Sequence, residues 1–280
     1  MSEFVLSFSC DDRAGLVHAV ASWLVERECN ILDSDQFRDG LSQRFFMRVH
    51  FEGPRDVETL HRTFHPIGAA NHMDWQIWSL AVQPRVLILV SRVDHCLADL
   101  LYRRKIGELE IEVPLVVSNH RDAYPLVAAE DIDYLHLPLS RNNKPEQEAR
   151  ILEQIEARNI DFIVLARYMQ ILSAGFCRRF PGRIINIHHS FLPGFKGARP
   201  YRQAHQRGVK LIGATAHYVT AELDEGPIIE QDVERVDHRM SEQQLAAVGR
   251  DIERVVLAKA VRYQAEHRIL QNGNRTVVFT

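Results

Sequence analysis

Ile184-Ile-Asn-Ile-His-His-Ser-Phe-Leu-Pro-Gly-Phe-Lys-Gly197 is the stretch on which the reading of this chain turns. Its first half is apolar and β-branched, which favours a strand. Its second half is rich in Pro and Gly, which ends the strand in a loop. Side chains two apart on a strand share a face. Asn186 and His188 therefore stand together where the strand runs out, and His189 turns to the opposite face. In open α/β sheets, ligands collect at the carboxyl ends of the strands. An amide N–H and an imidazole aimed at one point can stabilise an oxyanion growing on a carbonyl oxygen. The same spacing also fits an amide that satisfies loop backbone beside a packed ring. His188 and His189 have no third ligand at a familiar spacing, which argues against a metal centre.

Outward from that stretch, apolar strands alternate with helices. Strands are expected at residues 86–90, 111–118, 134–137, 162–166, 211–219, 228–236 and 276–279. Helices are expected at 94–105, 123–129, 145–158, 173–180, 201–207 and 241–267, with Ser241 a candidate N-cap. Pro114 requires an edge position or a bulge. Continuously apolar strands between helices imply a mostly parallel sheet covered on both faces, a Rossmann-like α/β architecture. Upstream the rhythm differs. Strands at 4–9, 31–38, 43–52 and 74–82 and helices at 16–28 and 57–70 give the order βαββαβ, the ferredoxin-like unit, with Asp39-Gly40 as a hairpin signal. Asp11 or Asp12 is placed to cap the first helix. The break at Gln83-Pro84 divides the chain into domains 1–83 and 84–280, in keeping with the length prior for 280 residues.

Composition narrows the function classes. The net charge is −3, with acids and bases interspersed, which argues against a nucleic-acid or anionic-membrane partner. Cys10, Cys29, Cys96 and Cys177 are far apart and form no CxxC. They read as buried reduced thiols, which suits a cytoplasmic protein. No secretory signal and no run long enough to cross a membrane is found.

A second element follows the loop. Asp224 sits in the turn Leu223-Asp-Glu-Gly-Pro227, after a strand that carries Thr215 and His217 on one face. A carboxylate near His188 would favour its protonated, donating form and could orient a water. Taken alone, the same residues are only a polar turn, in which Asp224 ranks no higher than Glu222 or Glu225.

The motifs together resemble the folate-dependent formyltransferase superfamily, of which glycinamide ribonucleotide transformylase is a member. They are Asn186-Ile-His188, Ser190-x-Leu-Pro-x-Phe-Lys-Gly197, Gly213-Ala-Thr-Ala-His217 and Leu223-Asp-Glu-Gly-Pro-Ile-Ile229, and the resemblance spans residues 85–279. It implies a catalytic trio of Asn186, His188 and Asp224, supported by Thr215 and His217. Leu165-Ala-Arg-Tyr-Met-Gln-Ile-Leu172 resembles the segment that receives the pterin. The implied folate-binding residues are Met169, Gln170, Ile171, Leu172, Val219 and Leu223. Gln170 departs from the Arg common in the transformylase.

Ser91-Arg-Val-Asp-His-Cys-Leu97 replaces the glycine-rich phosphate turn that a transformylase would require, and Asp94 near a helix start repels phosphate. This stretch and the extra N-terminal domain resemble the formyltetrahydrofolate deformylase family, in which an amino-acid-binding ACT domain precedes the catalytic one. The resemblance implies hydrolysis of 10-formyltetrahydrofolate to formate and tetrahydrofolate, supplying formate for purine synthesis and balancing one-carbon folate pools. It implies no metal and no tightly bound cofactor. Asp11, Asp12 and Gly15 would form the ACT ligand turn, with glycine or methionine as effector. A purely oligomerising role is the other reading of that domain. A homo-oligomer is expected, a tetramer foremost. Formyl transfer to an amine is the alternative activity, and an idle amino-acid sensor the alternative of another class.

Overall fold

The N-terminal segment runs β1 (Ser2–Asp11), α1 (Leu16–Val25), β2 (Asn30–Asp39), β3 (Arg44–Gly53), α2 (Val57–Ala70) and β4 (Asp74–Ser79). It belongs to a computed structural model that describes residues 1–140, 142–192 and 200–280. The four strands form an antiparallel sheet in the order β2-β3-β1-β4, the ferredoxin-like arrangement. β1 is buried from Phe4 to Cys10 on both faces, and alternation decides which of its side chains share the core with the helices. Phe4, Leu6 and Phe8 of β1 and Met47, Val49 and Phe51 of β3 pack with Trp23 of α1 and with Leu60 and Phe64 of α2. Each such side chain contributes about 1.5–3 kcal/mol on full burial.

The expected carboxylate cap of α1 is not formed. Gly15 is the N-cap, at φ +92°, and no side chain caps the helix. The acids are engaged elsewhere: Asp12 takes Arg38 Nε at 2.5 Å, and Asp11 ends β1 opposite Arg44.

The second segment runs β5 (Arg85–Val90), α3 (His95–Lys105), β6 (Glu112–Ser118), α4 (Tyr124–Ala128), β7 (Asp133–His136), α5 (Lys144–Ala157), β8 (Phe162–Ala166), α6 (Ala174–Arg179), β9 (Ile184–His188), α7 (Pro200–Arg207), β10 (Leu211–Tyr218), β11 (Ile228–Arg235) and α8 (Glu242–Ala265). Among the described residues, seven strands make one sheet in the order β11-β10-β9-β8-β5-β6-β7. The pairs from β9 through β7 are parallel, whereas β10 is antiparallel to both β9 and β11. β5 and β8 are buried throughout apart from the first residue of β5, as strands covered on both faces must be. Pro114 falls in the register shift between β5 and β6, ahead of the first β6–β7 pair at Leu115. Ser241 and Gln244 cap α8 reciprocally: Ser241 Oγ accepts the Gln244 N–H at 3.3 Å, and Gln244 Oε1 accepts the Ser241 N–H at 2.8 Å.

Because β5, β8 and β9 are parallel, their carboxyl ends share one edge, followed in turn by Ser91, Arg167 and His189. Ser91 ties that edge together. Its hydroxyl donates to Asn119 Oδ1 at 2.8 Å and accepts the Met169 N–H at 3.0 Å. Pro193-Gly-Phe-Lys-Gly197, the second half of the opening motif, lies outside the described residues.

Residues 1–83 together with 266–280 form one unit, and residues 84–265 form the other. The sequence boundary at residue 83 leaves residues 266–280 in the second domain, whereas the structure gives them to the first unit. The difference lies in the hairpin β12 (Ile269–Asn272) and β13 (Arg275–Val278). Leu270 and Phe279 cluster with Phe46. Asn272 and Arg275 donate to Asp39 Oδ2 at 2.7 and 2.6 Å. Among the described residues no helix is long and apolar enough to cross a membrane.

Candidate active site

The register between β9 and β10 builds the site. His188 faces Thr215 and Asn186 faces His217 across the antiparallel pair. Directly opposed residues have neighbouring Cβ atoms, so two separate motifs become one patch. Thr215, fully buried, accepts the Leu192 N–H at 3.0 Å and the Gln231 amide at 2.9 Å, and donates to Ser190 O at 3.0 Å. It secures the first residues of the loop that follows β9.

His217 orients Asn186. Its Nδ1 lies 2.9 Å from Tyr218 O and so carries the proton. Burial, the largest influence, pulls the His217 pKa down and favours the neutral ring. Its Nε2 is then an acceptor, and Asn186 Nδ2 donates to it at 3.2 Å. The second hydrogen of that amide remains for the cleft.

The turn between β10 and β11 delivers the acid. Asp224 Oδ1 lies 3.4 Å from His188 Nδ1 and 3.9 Å from His217 Nε2. The hydrogen bond with His188 is the main reason that the Asp224 carboxyl is held below its usual pKa, against the effect of burial. Asp224 adopts φ +57°, a left-handed conformation that Asp tolerates better than most residues. The turn is tight beside it, since Gly226 rests against the backbone of Tyr218. His188 is 5% exposed, and its Nε2 finds no partner among the described residues. A buried ring nitrogen with no partner among the described residues is uncommon, and this one has a cleft in front of it.

That cleft has a volume of about 530 Å³. All three of Asn186, His188 and Asp224 line it, as do His217 and all six residues expected to bind folate: Met169, Gln170, Ile171, Leu172, Val219 and Leu223. Met169, Ile171 and Leu223 are 57%, 63% and 59% exposed. Large apolar side chains left open around a cleft suit a flat apolar ligand. Thr215 is not on the wall and acts from beneath it.

The structure also brings in residues that the sequence reading left out. β9 ends at His188, so strand alternation no longer applies to His189. Its ring lines the cleft instead of the opposite face and lies edge-on to His188 at 5.1 Å. Arg167 and Tyr201 line the same cleft. Behind them is Glu253 of α8, which is 1% exposed. A carboxylate on the apolar stripe of Leu245, Ile252, Val256 and Leu257 must find partners, and that anomaly was readable in the sequence. His95, Cys96 and Glu253 bring ligand-type atoms within 4.8 Å of one another. The carboxylate already receives His95 at 2.9 Å and the Tyr201 hydroxyl, and burial raises the Cys96 thiol well above its ordinary pKa. The cluster is arranged as an ion-pair hub.

The family model described as formyl transferase matches residues 84–261. The formyltetrahydrofolate deformylase of Corynebacterium sp. (strain P-1) is 48% identical over 98% of this chain and 97% of its own length. That of Bacillus subtilis (strain 168) is 46% identical over 98% and 93%. The solved structure of the Burkholderia mallei formyltetrahydrofolate deformylase superposes with a TM-score of 0.96 at 51% identity, covering 100% of both chains. A glycinamide ribonucleotide transformylase from Symbiobacterium toebii aligns with only 72% of this chain, at a TM-score of 0.67 and 32% identity. A likeness that takes in the N-terminal unit as well as the cleft separates these two groups, and the chain belongs to the formyltetrahydrofolate deformylase family.

Proposed function

We propose that the chain hydrolyses 10-formyltetrahydrofolate to formate and tetrahydrofolate. The observation that carries this reading is the meeting of Asn186, His188 and Asp224 on one apolar-rimmed cleft, in a chain that matches deformylases over its whole length. Asp224 takes a proton from water as the water oxygen adds to the formyl carbon. The Asn186 amide and protonated His188, through its Nε2–H, donate to the oxygen that becomes negative. The carbon–N10 bond then breaks, a proton passes to N10, and formic acid ionises to formate. Met169, Gln170, Ile171, Leu172, Val219 and Leu223 receive the folate. The products supply formate to purine synthesis and restore the free folate pool.

The first unit serves as an ACT-like regulatory and assembly module. Support comes from its βαββαβ order and from Gly15, where the backbone is left-handed and nothing lies within 4 Å of an added Cβ. Glycine or methionine would bind near Asp11, Asp12 and Gly15, in a cytoplasmic homotetramer.

One assay tests the activity: purified chain with 10-formyltetrahydrofolate and no other acceptor. Formate released in step with tetrahydrofolate is the expected result. No formate, with tetrahydrofolate forming only when an amine is supplied and becomes formylated, would replace hydrolysis with formyl transfer.

A further inference from the structure

The hub behind the cleft has no part in the chemistry above, yet it holds two cleft residues in place. Glu253 accepts the Tyr201 hydroxyl at 2.5 Å and pairs with His95 Nε2 at 2.9 Å. Arg167 Nε lies 3.3 Å from the same carboxylate. Burial alone would raise the pKa of Glu253, but the His95 hydrogen bond, the Arg167 charge and the Tyr201 hydroxyl together bring it below its usual value. Arg167 follows directly on β8, at φ +63°. Left-handed backbone is unfavourable for a long L side chain and persists only where the surroundings over-determine it. Here the Arg167 N–H is tied to Leu165 O at 3.1 Å, and Glu253 holds the guanidinium as an ion pair at 3.3 Å, with no hydrogen bond from Nε among the described residues. Among the described residues lining the cleft, Arg167 is the one arginine or lysine. His189 lines the same cleft, edge-on to His188 at 5.1 Å and within reach of the Arg167 charge. Its pKa is pushed down to about 4 by burial, with the charges of Arg167 and His188 adding to it. A neutral ring there donates an N–H without adding charge.

We propose that Arg167 and His189 form a subsite for the one-carbon carboxylate product, formate. This rests on the hydrolytic reading above and adds to it a place for the anion. The formyl group enters uncharged. Water oxygen bonds to its carbon, the carbon–N10 bond breaks, one proton goes to N10 and a second to solvent. A negative charge thus appears where the substrate had none, beside ionised Asp224, which repels it. A guanidinium ion-paired on one side still offers a fork of N–H donors that matches a planar carboxylate, and a neutral imidazole N–H supplies a further donor. Glu253 is a positioning residue for that fork.

The experiment uses the full-length chain without folate and titrates 13C-formate, following its NMR line width, with sodium chloride at matched ionic strength as control. Wild type should broaden the formate line saturably, with a Kd on the order of 1 mM or weaker, the ceiling for a three-atom ligand. Arg167→Gln should weaken this at least ~10-fold, the scale of a hydrogen bond to a charged group. His189→Ala should weaken it roughly 3- to 10-fold, and Asp224→Asn should leave it equal or tighter. Should Arg167→Gln not fold, Glu253→Gln keeps the guanidinium but loosens its anchor and must still weaken formate several-fold. No saturable broadening in wild type, wild-type affinity in Arg167→Gln or in its Glu253→Gln replacement, or equal displacement by chloride overturns the subsite. Formate release from 10-formyltetrahydrofolate is measured separately, so hydrolysis and the subsite can fail independently.

Discussion

Gly226→Ala tests how the turn holds its acid. A Cβ built on Gly226 lies 1.8 Å from Tyr218 O and 2.9 Å from the carbonyl carbon of Tyr218. Real Cβ atoms essentially never approach closer than 3.0 Å, so close-packed backbone must yield by about 1.2 Å. There are two ways to yield. The turn can move and take Asp224 away from His188, now 3.4 Å distant. Otherwise the Tyr218 carbonyl moves, and it is the acceptor that fixes the tautomer of His217 at 2.9 Å. The two backbones are also tied to each other, since Tyr218 N–H donates to Pro227 O at 2.9 Å. Either route displaces a group of the site by about 1 Å, which costs roughly 100-fold in rate. Overpacking adds about 1–3 kcal/mol of destabilisation, a fall of several degrees in Tm for a unit of this size. The assay is kcat for formate release at saturating folate, with Tm followed by circular dichroism. A kcat within about threefold of wild type would refute the claim that this contact sets the position of Asp224.

Asp224→Asn and His188→Ala should each lose at least ~100-fold in kcat while melting as cooperatively as wild type; near-wild-type hydrolysis by either removes it from the chemistry. Thr215→Val keeps the volume but deprives the Leu192 N–H of its acceptor. It should cost about 1–3 kcal/mol in urea unfolding, and a loss below ~0.5 kcal/mol would show that the hydroxyl is dispensable. Stability should fall between pH 7 and pH 5. His267 and His189, both largely desolvated, have native pKa values pushed down to about 4. The unfolded chain therefore binds their protons from about pH 6.5 downward while the native chain does not. The loss should be about 2 kcal/mol in all, after allowance for the partial exposure of both rings. Asp224, with its lowered pKa, adds its own loss only in more acidic solution. Equal urea midpoints at pH 7 and pH 5 would contradict this, and His267→Gln should flatten the slope.

What was legible in the sequence was whatever a local period could carry. Strand alternation placed Asn186 beside His188 and Thr215 beside His217, but nothing local said that the two pairs would face each other. That follows from the β9–β10 register, a long-range fact. Asp224 looked like any acid of a polar turn until its motif was set beside the others. His189 was misplaced because alternation was carried one residue past the end of β9. The Glu253 hub was missed because its members come from α3, the end of β8, α7 and α8, and no spacing links them. The α1 cap failed for a different reason: Asp12 had a stronger cationic partner in Arg38, and Gly15 could supply the left-handed turn unaided. The six cleft residues expected to bind folate became legible only through the family resemblance, since each alone is an ordinary loop or strand-end residue.

The split make-up of the first unit has a consequence for the newborn chain. Residues 1–83 and 266–280 belong together, with residues 84–265 between them. At a synthesis rate of ~5–20 residues per second, the ribosome needs roughly 10–40 seconds to cross the intervening stretch. During that time Phe46 lacks Leu270 and Phe279, and Asp39 lacks Asn272 and Arg275. The early sheet must wait, with one apolar position uncovered, for the hairpin that closes it.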